Sequence, residues 1–283
     1  MSINYQKVTS TKGHKKYSWN IEKYESAMNV AEDCSKRRIT NDSFKDMAKE
    51  RMGSFEGVRS YEEALDLLKN GYQPTVENLR EKLKATCTGT GKRIKFQNDI
   101  CGFAPVVPLA MKGIPQAMIG MTMRPIKTKV IDIYYDITCS CGTSSEQIIE
   151  NGQKLLGAVI ALEKAGYRFN IYAVQSYTES RNADMLIVKV KSSDKPIDLK
   201  RISFPLTHTA FFRVIGFDWY SKTPKGTYRG GYGHAISFEF DSSDEQRELA
   251  EQLFGSNAIF ILGREIMHKN EEYIMEVLTN GKN

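Results

Sequence analysis

The chain has 283 residues, of which 41% are hydrophobic and 26% charged, a composition typical of an ordinary globular protein. No apolar run approaches the roughly 18–20 residues that a bilayer-spanning helix needs, so we expect no membrane partner. The basic N-terminal segment lacks the apolar core and cleavage site of a secretory signal, and the five cysteines have no regular spacing. We therefore expect a protein of a reducing compartment that is not secreted by a signal peptide.

The positive charge of the chain is concentrated in its first half. Residues 1–127 contain 22 Lys and Arg against 14 Asp and Glu, a net charge of +8, whereas residues 128–283 contain 18 against 20, a net charge of −2. This asymmetry predicts a surface for nucleic acid or for an acidic partner. The alternatives are a solvated basic face and an arm docked on an acidic neighbouring subunit.

The first part of the chain has the pattern of an arm followed by helices. Residues 1–20 are polar and predict a flexible or partner-docked arm. Further on, Ser60 and Glu63 form the capping box of a helix that Gly71 ends. We therefore predict a basic N-terminal arm with helices over residues 1–89.

Residues 90–283 alternate between strand and helix patterns. KRIKFQND alternates between its two sides, and the β-branched and aromatic run TKVIDIYYDI predicts a long strand. SSEQIIENGQKLLGAVIALEKAG predicts a helix with Ser144 as its N-cap and Gln147 completing a capping box. Further strand and helix patterns follow. This order predicts an α/β fold with an open, mostly parallel sheet flanked by helices, preceded by the basic helical region.

Polar side chains follow the strand TKVIDIYYDI at the point where it is predicted to end. Asp136, Thr138 and Ser140 stand at positions i, i+2 and i+4, so all three face one side of an extended segment. In open α/β sheets, ligands bind outside the carboxyl ends of the strands, and hard divalent cations prefer carboxylate and hydroxyl oxygens. The alternative is a turn, in which Asp136 caps the loop and the two hydroxyl groups bond to backbone amides.

This spacing resembles the Asp-x-Ser-x-Ser motif of the metal-ion-dependent adhesion site in von Willebrand factor A-type domains, with Thr138 in place of the first serine. The resemblance covers roughly residues 127–265. It implies a Rossmann-like fold that binds Mg²⁺ or Mn²⁺ at the three positions just described. The family completes its site with a threonine and an aspartate from later loops, for which Thr207 or Thr209 and Asp218 stand in the right order.

Most of residues 55–215 also resembles a family of uncharacterised phage-encoded proteins. The resemblance rests on SYEEALDLLKNGY, DICGFAPVVPLAMKGIPQAM, SSEQIIENGQKLLGAVIALEKAGYRFNIYAV and HTAFFR. It implies a viral or prophage origin and a place in the host cytoplasm or the virion. It implies no activity.

Further candidate binding residues lie later in the chain. One predicted helix carries His208 and Arg213, which would bind an anion together with Asp218 or Tyr232. The alternative is that both side chains are packed or hydrogen-bonded within the fold. Residues 220–234 interleave basic side chains with tyrosines, a composition that holds single-stranded nucleic acid and is also common in surface loops. The candidate binding residues are Ser144, His208, Arg213, Lys222, Lys225, Tyr228, Arg229, Tyr232 and His234.

The chain contains no complete phosphate loop, no G-x-S-x-G elbow, no H-E-x-x-H motif and no dinucleotide-binding fingerprint. We therefore predict a non-enzymatic, phage-encoded binding or assembly protein that uses loops at the carboxyl edge of its sheet. Its partner would be a phage or host protein, or a second copy of the chain. One alternative is a nucleic-acid-binding protein of phage replication or packaging that uses the basic N-terminal half. The other is a metal-dependent enzyme.

Overall fold

The structure is a computed structural model of the chain. It describes residues 4–12, 15–38, 53, 55–84, 92–125, 129–139, 142–179, 182–223, 251–256 and 258–280.

A six-stranded main sheet forms the centre of the molecule. Three of its five strand pairings are parallel and two are antiparallel, so the fold is α/β with an open, mostly parallel sheet, as predicted. This architecture is consistent with a Rossmann-like or von Willebrand factor A-like fold. In spatial order, the strands are β1 (Asn4–Lys12), β2 (Lys15–Tyr24), β8 (Asn182–Lys191), β7 (Arg168–Glu179), β6 (Val130–Asp136) and β9 (Ala258–Leu262).

Helical residues pack against both faces of the main sheet. On one face, the buried apolar side chains of helices form a single core with Ile131, Ile133 and Tyr135 of β6. Because side chains alternate along a strand, Tyr134 lies in a smaller cluster, against which the helical residues 251–254 pack through Leu253 and Phe254. The helices that contribute to the larger core are Ala27–Lys36, Tyr61–Asn70, Gln73–Lys84, Ser145–Lys164, Leu199–Thr207, Phe211–Gly216, Phe217–Lys222, Gly263–Ile266 and Glu271–Asn280.

Ser60 and Gly71 begin and end the helix Tyr61–Asn70, as expected from the sequence. The Ser60 hydroxyl accepts a hydrogen bond from the backbone N–H of Glu63 at 3.1 Å. The Glu63 carboxylate accepts from the backbone N–H of Arg59 at 2.7 Å instead of from that of Ser60, so only half of the predicted capping box is formed. Gly71 follows the last helical residue with a φ of 81°, a left-handed value that glycine adopts without steric cost.

The N-terminal residues form strands of the main sheet, which differs from the predicted arm over residues 1–20. β1 and β2 form an antiparallel hairpin, and β2 pairs in parallel with β8, where Tyr24 lies opposite Val188. Trp19 and Ile21 of β2 are both completely buried. Their period-2 spacing is the strand signal within an otherwise polar and basic segment. The domain boundary near residue 89 stays a prediction.

A buried carboxylate connects β2 to two helices. Glu22, only 5% exposed, forms an ion pair with Arg37, whose Nη2 lies 2.9 Å from Glu22 Oε2. The same carboxylate oxygen accepts a hydrogen bond from the indole Nε1 of Trp219 at 2.9 Å. Arg37 follows the first helix of the chain, and Trp219 lies in the helix Phe217–Lys222. Glu22 therefore holds the N-terminal strand both to a neighbouring element and to a helix 197 residues further along the chain.

A second sheet of three strands precedes β6 in the chain; residues 92–125 are called the small sheet below. Its spatial order is β3–β5–β4, and both pairings are antiparallel. The strand predicted from KRIKFQND is β3. The elements of the small sheet are β3 (Lys92–Asp99), β4 (Ala104–Pro105), the helix Val107–Met111 and β5 (Met118–Pro125).

Substitution of Gly152 tests how closely the helix Ser145–Lys164 packs against the helix Leu199–Thr207. A Cβ atom there would clash with the carbonyl oxygen of Leu206 and with Thr207, both held by backbone. We expect Gly152→Ala to lower the free energy of unfolding by about 1–3 kcal/mol, because this overpacking outweighs the helix preference of alanine. Urea denaturation measures the change.

Gly157→Ala is the matched control on the same helix. A Cβ there would meet only the side-chain end of Glu271, which can move. We expect a change within about 1 kcal/mol of wild type. Equal destabilisation by both substitutions would contradict the packing described here.

Candidate functional site

Asp136 lies at the carboxyl end of β6, where the predicted site was sought. β6 pairs in parallel with β7 and β9, so Asp136 stands opposite Val174 and Leu262 at the centre of this sheet edge. Asp136 and Thr138 are both buried. Asp136 Oδ1 accepts hydrogen bonds from the Thr138 backbone N–H at 2.9 Å and from the Thr138 hydroxyl at 2.6 Å. This is the geometry of an Asx turn, which supports the turn alternative.

The structure shows no ready ligand set around this turn. Ser140 lies outside the described residues. Within those residues, no group of three or more His, Cys, Asp or Glu side chains is arranged to hold a metal ion. Thr207 and Thr209 donate hydrogen bonds to backbone carbonyls, and Asp218 forms an ion pair with Lys222. None of these contacts is with Asp136, and binding of Mg²⁺ or Mn²⁺ stays a prediction.

Ser144 begins the helix Ser145–Lys164 by the predicted capping box. Its hydroxyl accepts from the backbone N–H of Gln147 at 3.3 Å, and the Gln147 side chain accepts from the Ser144 N–H at 3.1 Å. Its predicted capping role is confirmed. A role for Ser144 in binding stays a prediction.

Arg213 lies in a π-helix, Phe211–Gly216, rather than in an ordinary α-helix. In an α-helix the Phe212 carbonyl would accept from the Gly216 N–H. Here the side-chain Nε2 of Gln175, on β7, donates to the Phe212 carbonyl at 3.1 Å. Gln175 also fills the space where any Cβ on Gly216 would lie. The inserted side chain explains the local change of helical pitch, and π-helical turns are frequent at functional sites.

The guanidinium group of Arg213 is surrounded by aromatic rings. Its Cζ lies 5.0 Å from the ring centre of Phe55 and 5.3 Å from those of Phe212 and Phe217, distances typical of cation–π contacts. The Nε atom of Arg213 is buried and has no hydrogen-bond partner. Phe55 is distant in sequence, so this aromatic cage cannot be read from the sequence around Arg213.

Gln175 places the π-helix of Arg213 at the sheet edge where Asp136 lies. Gln175 follows Val174, the β7 residue opposite Asp136, and donates to a backbone carbonyl of the π-helix. Burial raises the pKa of the Cys139 thiol to about 12; the negative charge of Asp136 adds to this shift, and the positive charge of Arg213 opposes it. Two predicted candidates that the sequence assigns to separate sites, Asp136 and Arg213, therefore belong to elements at one edge of the main sheet.

His208 is a packed side chain rather than a neighbour of this cage. Its Nδ1 accepts a hydrogen bond from the Ala210 N–H at 3.2 Å, and its ring lies edge-on to Tyr72 with centroids 4.6 Å apart. Burial lowers the pKa of His208 to about 4, which keeps the imidazole neutral near pH 7. These contacts support the alternative of a packed, hydrogen-bonded histidine.

Lys222 is half-buried at the end of a helix, where its Nζ lies 2.6 Å from Asp218 Oδ1. Asp218 also accepts from the Tyr61 hydroxyl at 3.1 Å. Lys222 is therefore engaged within the fold, which argues against the predicted contact with nucleic acid. The other candidates from the tyrosine-rich segment lie outside the described residues: Lys225, Tyr228, Arg229, Tyr232 and His234.

A cleft of ≈ 340 Å³ lies where β8 ends and the helix Leu199–Thr207 begins. The sequence gives no sign of it, because its walls combine Glu25 with residues 189–202, which are distant in the chain. Its lining carries four positive and three negative side chains, so neither sign of charge dominates. The charged lining residues are Glu25, Lys189, Lys191, Asp194, Lys195, Asp198 and Arg201.

One protein-family model, described as a domain of unknown function (DUF7192), matches residues 8–279. No curated protein and no solved structure matches the chain. None of the helices that the structure describes is long and apolar enough to cross a membrane. The match covers both sheets and supplies no activity.

His208 gives the fold a specific dependence on pH. Between pH 6.5 and about 4 the unfolded chain binds a proton at His208 and the folded chain does not, so stability falls as the pH falls through this window. We expect His208→Asn to remove up to about 3 kcal/mol of this pH-dependent loss. Urea denaturation at a series of pH values measures it.

The same substitution at exposed His268 is the control, because it removes a histidine without changing the core. A wild-type pH profile in His208→Asn would contradict the lowered pKa of His208.

Proposed function

We propose that this chain, which belongs to the DUF7192 family, is a non-enzymatic binding or assembly protein whose small sheet docks an acidic protein partner. The resemblance to phage-encoded proteins suggests a phage or host protein as that partner. The observation that carries the proposal is the exposure of apolar side chains on the small sheet. A binding role for the loops at the carboxyl edge of the main sheet is a separate hypothesis that does not depend on the small sheet.

Large apolar side chains are exposed mainly on the small sheet. In the part of the chain that the structure describes, nine large hydrophobic side chains are exposed, and seven of them belong to residues 92–125. Clustered exposed apolar side chains mark interaction sites, whereas single ones are normal on any surface. The seven are Phe96, Ile100, Phe103, Val107, Met111, Ile114 and Met121.

Three of these side chains form a continuous surface, which we call the Phe96 face: Phe96, Phe103 and Met121. Phe96 on β3 stands directly opposite Met121 on β5, so both project to the same side of the small sheet. The rings of Phe96 and Phe103 meet edge to face with centroids 5.8 Å apart. Each of the three side chains is more than half exposed. The Phe96 face is therefore ordered and apolar.

The charge of the small sheet selects the chemistry of the partner. Residues 92–125 contain three Lys and two Arg against one Asp, a net charge of +4 from five positive and one negative. Complementary charge steers association and rejects wrong partners, so an apolar surface with this charge fits an acidic protein surface. Two small sheets packed on each other would bring like charges together, which disfavours a dimer through this face.

The kind of apolar side chain favours protein over nucleic acid. Single-stranded nucleic acid is held by aromatic rings that stack on bases. Five of the seven exposed side chains are Ile, Val or Met, which fill protein interfaces and do not stack. Nucleic-acid binding through the basic N-terminal half stays the second hypothesis, and the experiment below includes it.

The environment of the two buried cysteines that the structure describes, Cys34 and Cys139, favours a binding role over thiol catalysis. Reactive cysteines need a lowered pKa. Burial instead raises the pKa of both Cys34 and Cys139, and neighbouring carboxylates raise it further. His208 is buried and neutral, and its Nδ1 accepts a hydrogen bond from the Ala210 backbone N–H. Among the described residues, its contacts are not with either thiol.

Binding to defined probes tests the proposal. The probe is a peptide of alternating Glu and Leu, with an alternating Lys and Leu peptide as its charge-reversed control, each titrated into the full chain by calorimetry. We expect the acidic peptide to bind, and the double substitution Phe96→Ser with Met121→Ser to weaken binding at least tenfold, because apolar contact area is lost. Circular dichroism checks that the variant folds.

Tyr273→Ser is the matched control, since Tyr273 is an exposed apolar side chain outside the small sheet. It should bind the acidic peptide as wild type does. Equal binding of both peptides, or equal affinity of the double variant and wild type, would overturn the proposal. Binding of oligothymidylate or of anionic vesicles that depends on Phe96 and Met121 would replace the protein partner with nucleic acid or membrane.

A further inference from the structure

We infer that Arg213 is the centre of an oxyanion-binding site that takes a carboxylate or phosphate group at the carboxyl edge of the main sheet. This site is distinct from the Phe96 face and does not depend on the function proposed for it. Three observations support it: the aromatic cage, the lack of an acidic partner among the described residues, and the position of its π-helix at the sheet edge where Asp136 lies.

The aromatic cage orients the guanidinium group. Rings of Phe55, Phe212 and Phe217 lie 5.0–5.3 Å from Arg213 Cζ. Aromatic rings stack on the flat faces of a guanidinium, and its N–H groups point outward in its plane. These N–H donors match the two oxygens of a carboxylate or phosphate. Arg213 is half-buried rather than sealed, so a ligand can reach it.

Within the part of the chain that the structure describes, Arg213 differs from other poorly exposed cations because no acidic side chain pairs with it. The side chains of Arg37, Lys191 and Lys222 are each no more than 15% exposed, and each lies within 3 Å of a carboxylate oxygen. Among the described residues, no carboxylate forms an ion pair with Arg213, and its buried Nε has no hydrogen-bond partner. A charge removed from water is costly unless it is paired. An incoming oxyanion would supply the missing partner.

The position of the site agrees with the rule for open α/β sheets. Gln175 of β7 donates to a carbonyl of the π-helix that carries Arg213, and Gln175 follows Val174, which lies opposite Asp136 at the carboxyl end of β6. Ligands of such sheets bind at this edge. The nearby Asp136 carboxylate would repel an anion, but its Oδ1 already accepts two hydrogen bonds from Thr138, which spread its charge. The guanidinium group of Arg213 is therefore a cation held by aromatic rings at the same sheet edge as the hydrogen-bonded turn at Asp136.

Saturable binding of small oxyanions tests the inference. Sodium phosphate and sodium acetate are each titrated into the full chain at constant ionic strength, kept with sodium chloride, while the melting temperature is followed. We expect the melting temperature to rise to a plateau with at least one of the two probes, and the probe that binds tighter identifies phosphate or carboxylate as the ligand group.

Arg213→Met should weaken this binding at least tenfold, and Arg80→Met, which removes an exposed arginine elsewhere, should leave it unchanged. If Arg213→Met fails to fold, Arg213→Lys decides, because lysine keeps the charge but loses the planar pair of donors and should also bind at least tenfold more weakly. Wild-type binding by the Arg213 variant that folds, or no plateau in wild type, would overturn the inference.

Discussion

The buried carboxylate of Glu22 is the interaction on which the arrangement of this fold depends. It accepts hydrogen bonds from Arg37 and Trp219, so one side chain of the N-terminal strand joins elements that are distant in the chain. Such a carboxylate is stable in the interior only while these donors surround it, and removal of one partner of a buried ion pair costs about 3–5 kcal/mol. These contacts hold the N-terminal hairpin in the main sheet, where β2 pairs with β8.

The two sheets differ in how they dispose of their apolar side chains. The helices of the larger core bury their apolar side chains against the main sheet, whereas the Phe96 face leaves its own side chains exposed. This difference is the basis for proposing that the small sheet, rather than the main sheet, contacts a protein partner. Arg213 also combines core packing with a charged group that a ligand can reach. The aromatic rings around it belong to the core, whereas no acidic side chain among the described residues pairs with its N–H donors.

Local signals made much of the fold predictable. The capping box at Ser144 and the alternation along β6 depend only on neighbouring residues, as does the hydrogen bonding between Asp136 and Thr138. The N-terminal strands escaped prediction, because their polar and basic composition hides the alternation and their partner strand is distant: Asn20 bonds to Asp184, 164 residues away. The cage around Arg213 was missed for the same physical reason, since a contact between distant segments leaves no periodic pattern in the sequence.

Native-state hydrogen exchange, measured along the whole chain, tests most directly whether the N-terminal strands belong to the main sheet. The account predicts that amides of β2 exchange with the same opening free energy as those of β7, because both strands pair with β8 in one cooperative sheet. Amides of β3 and β5 should exchange through smaller openings, since the small sheet buries few apolar side chains. Early exchange of β2 while β7 stays protected would contradict the account and identify the N-terminal residues as a separate arm.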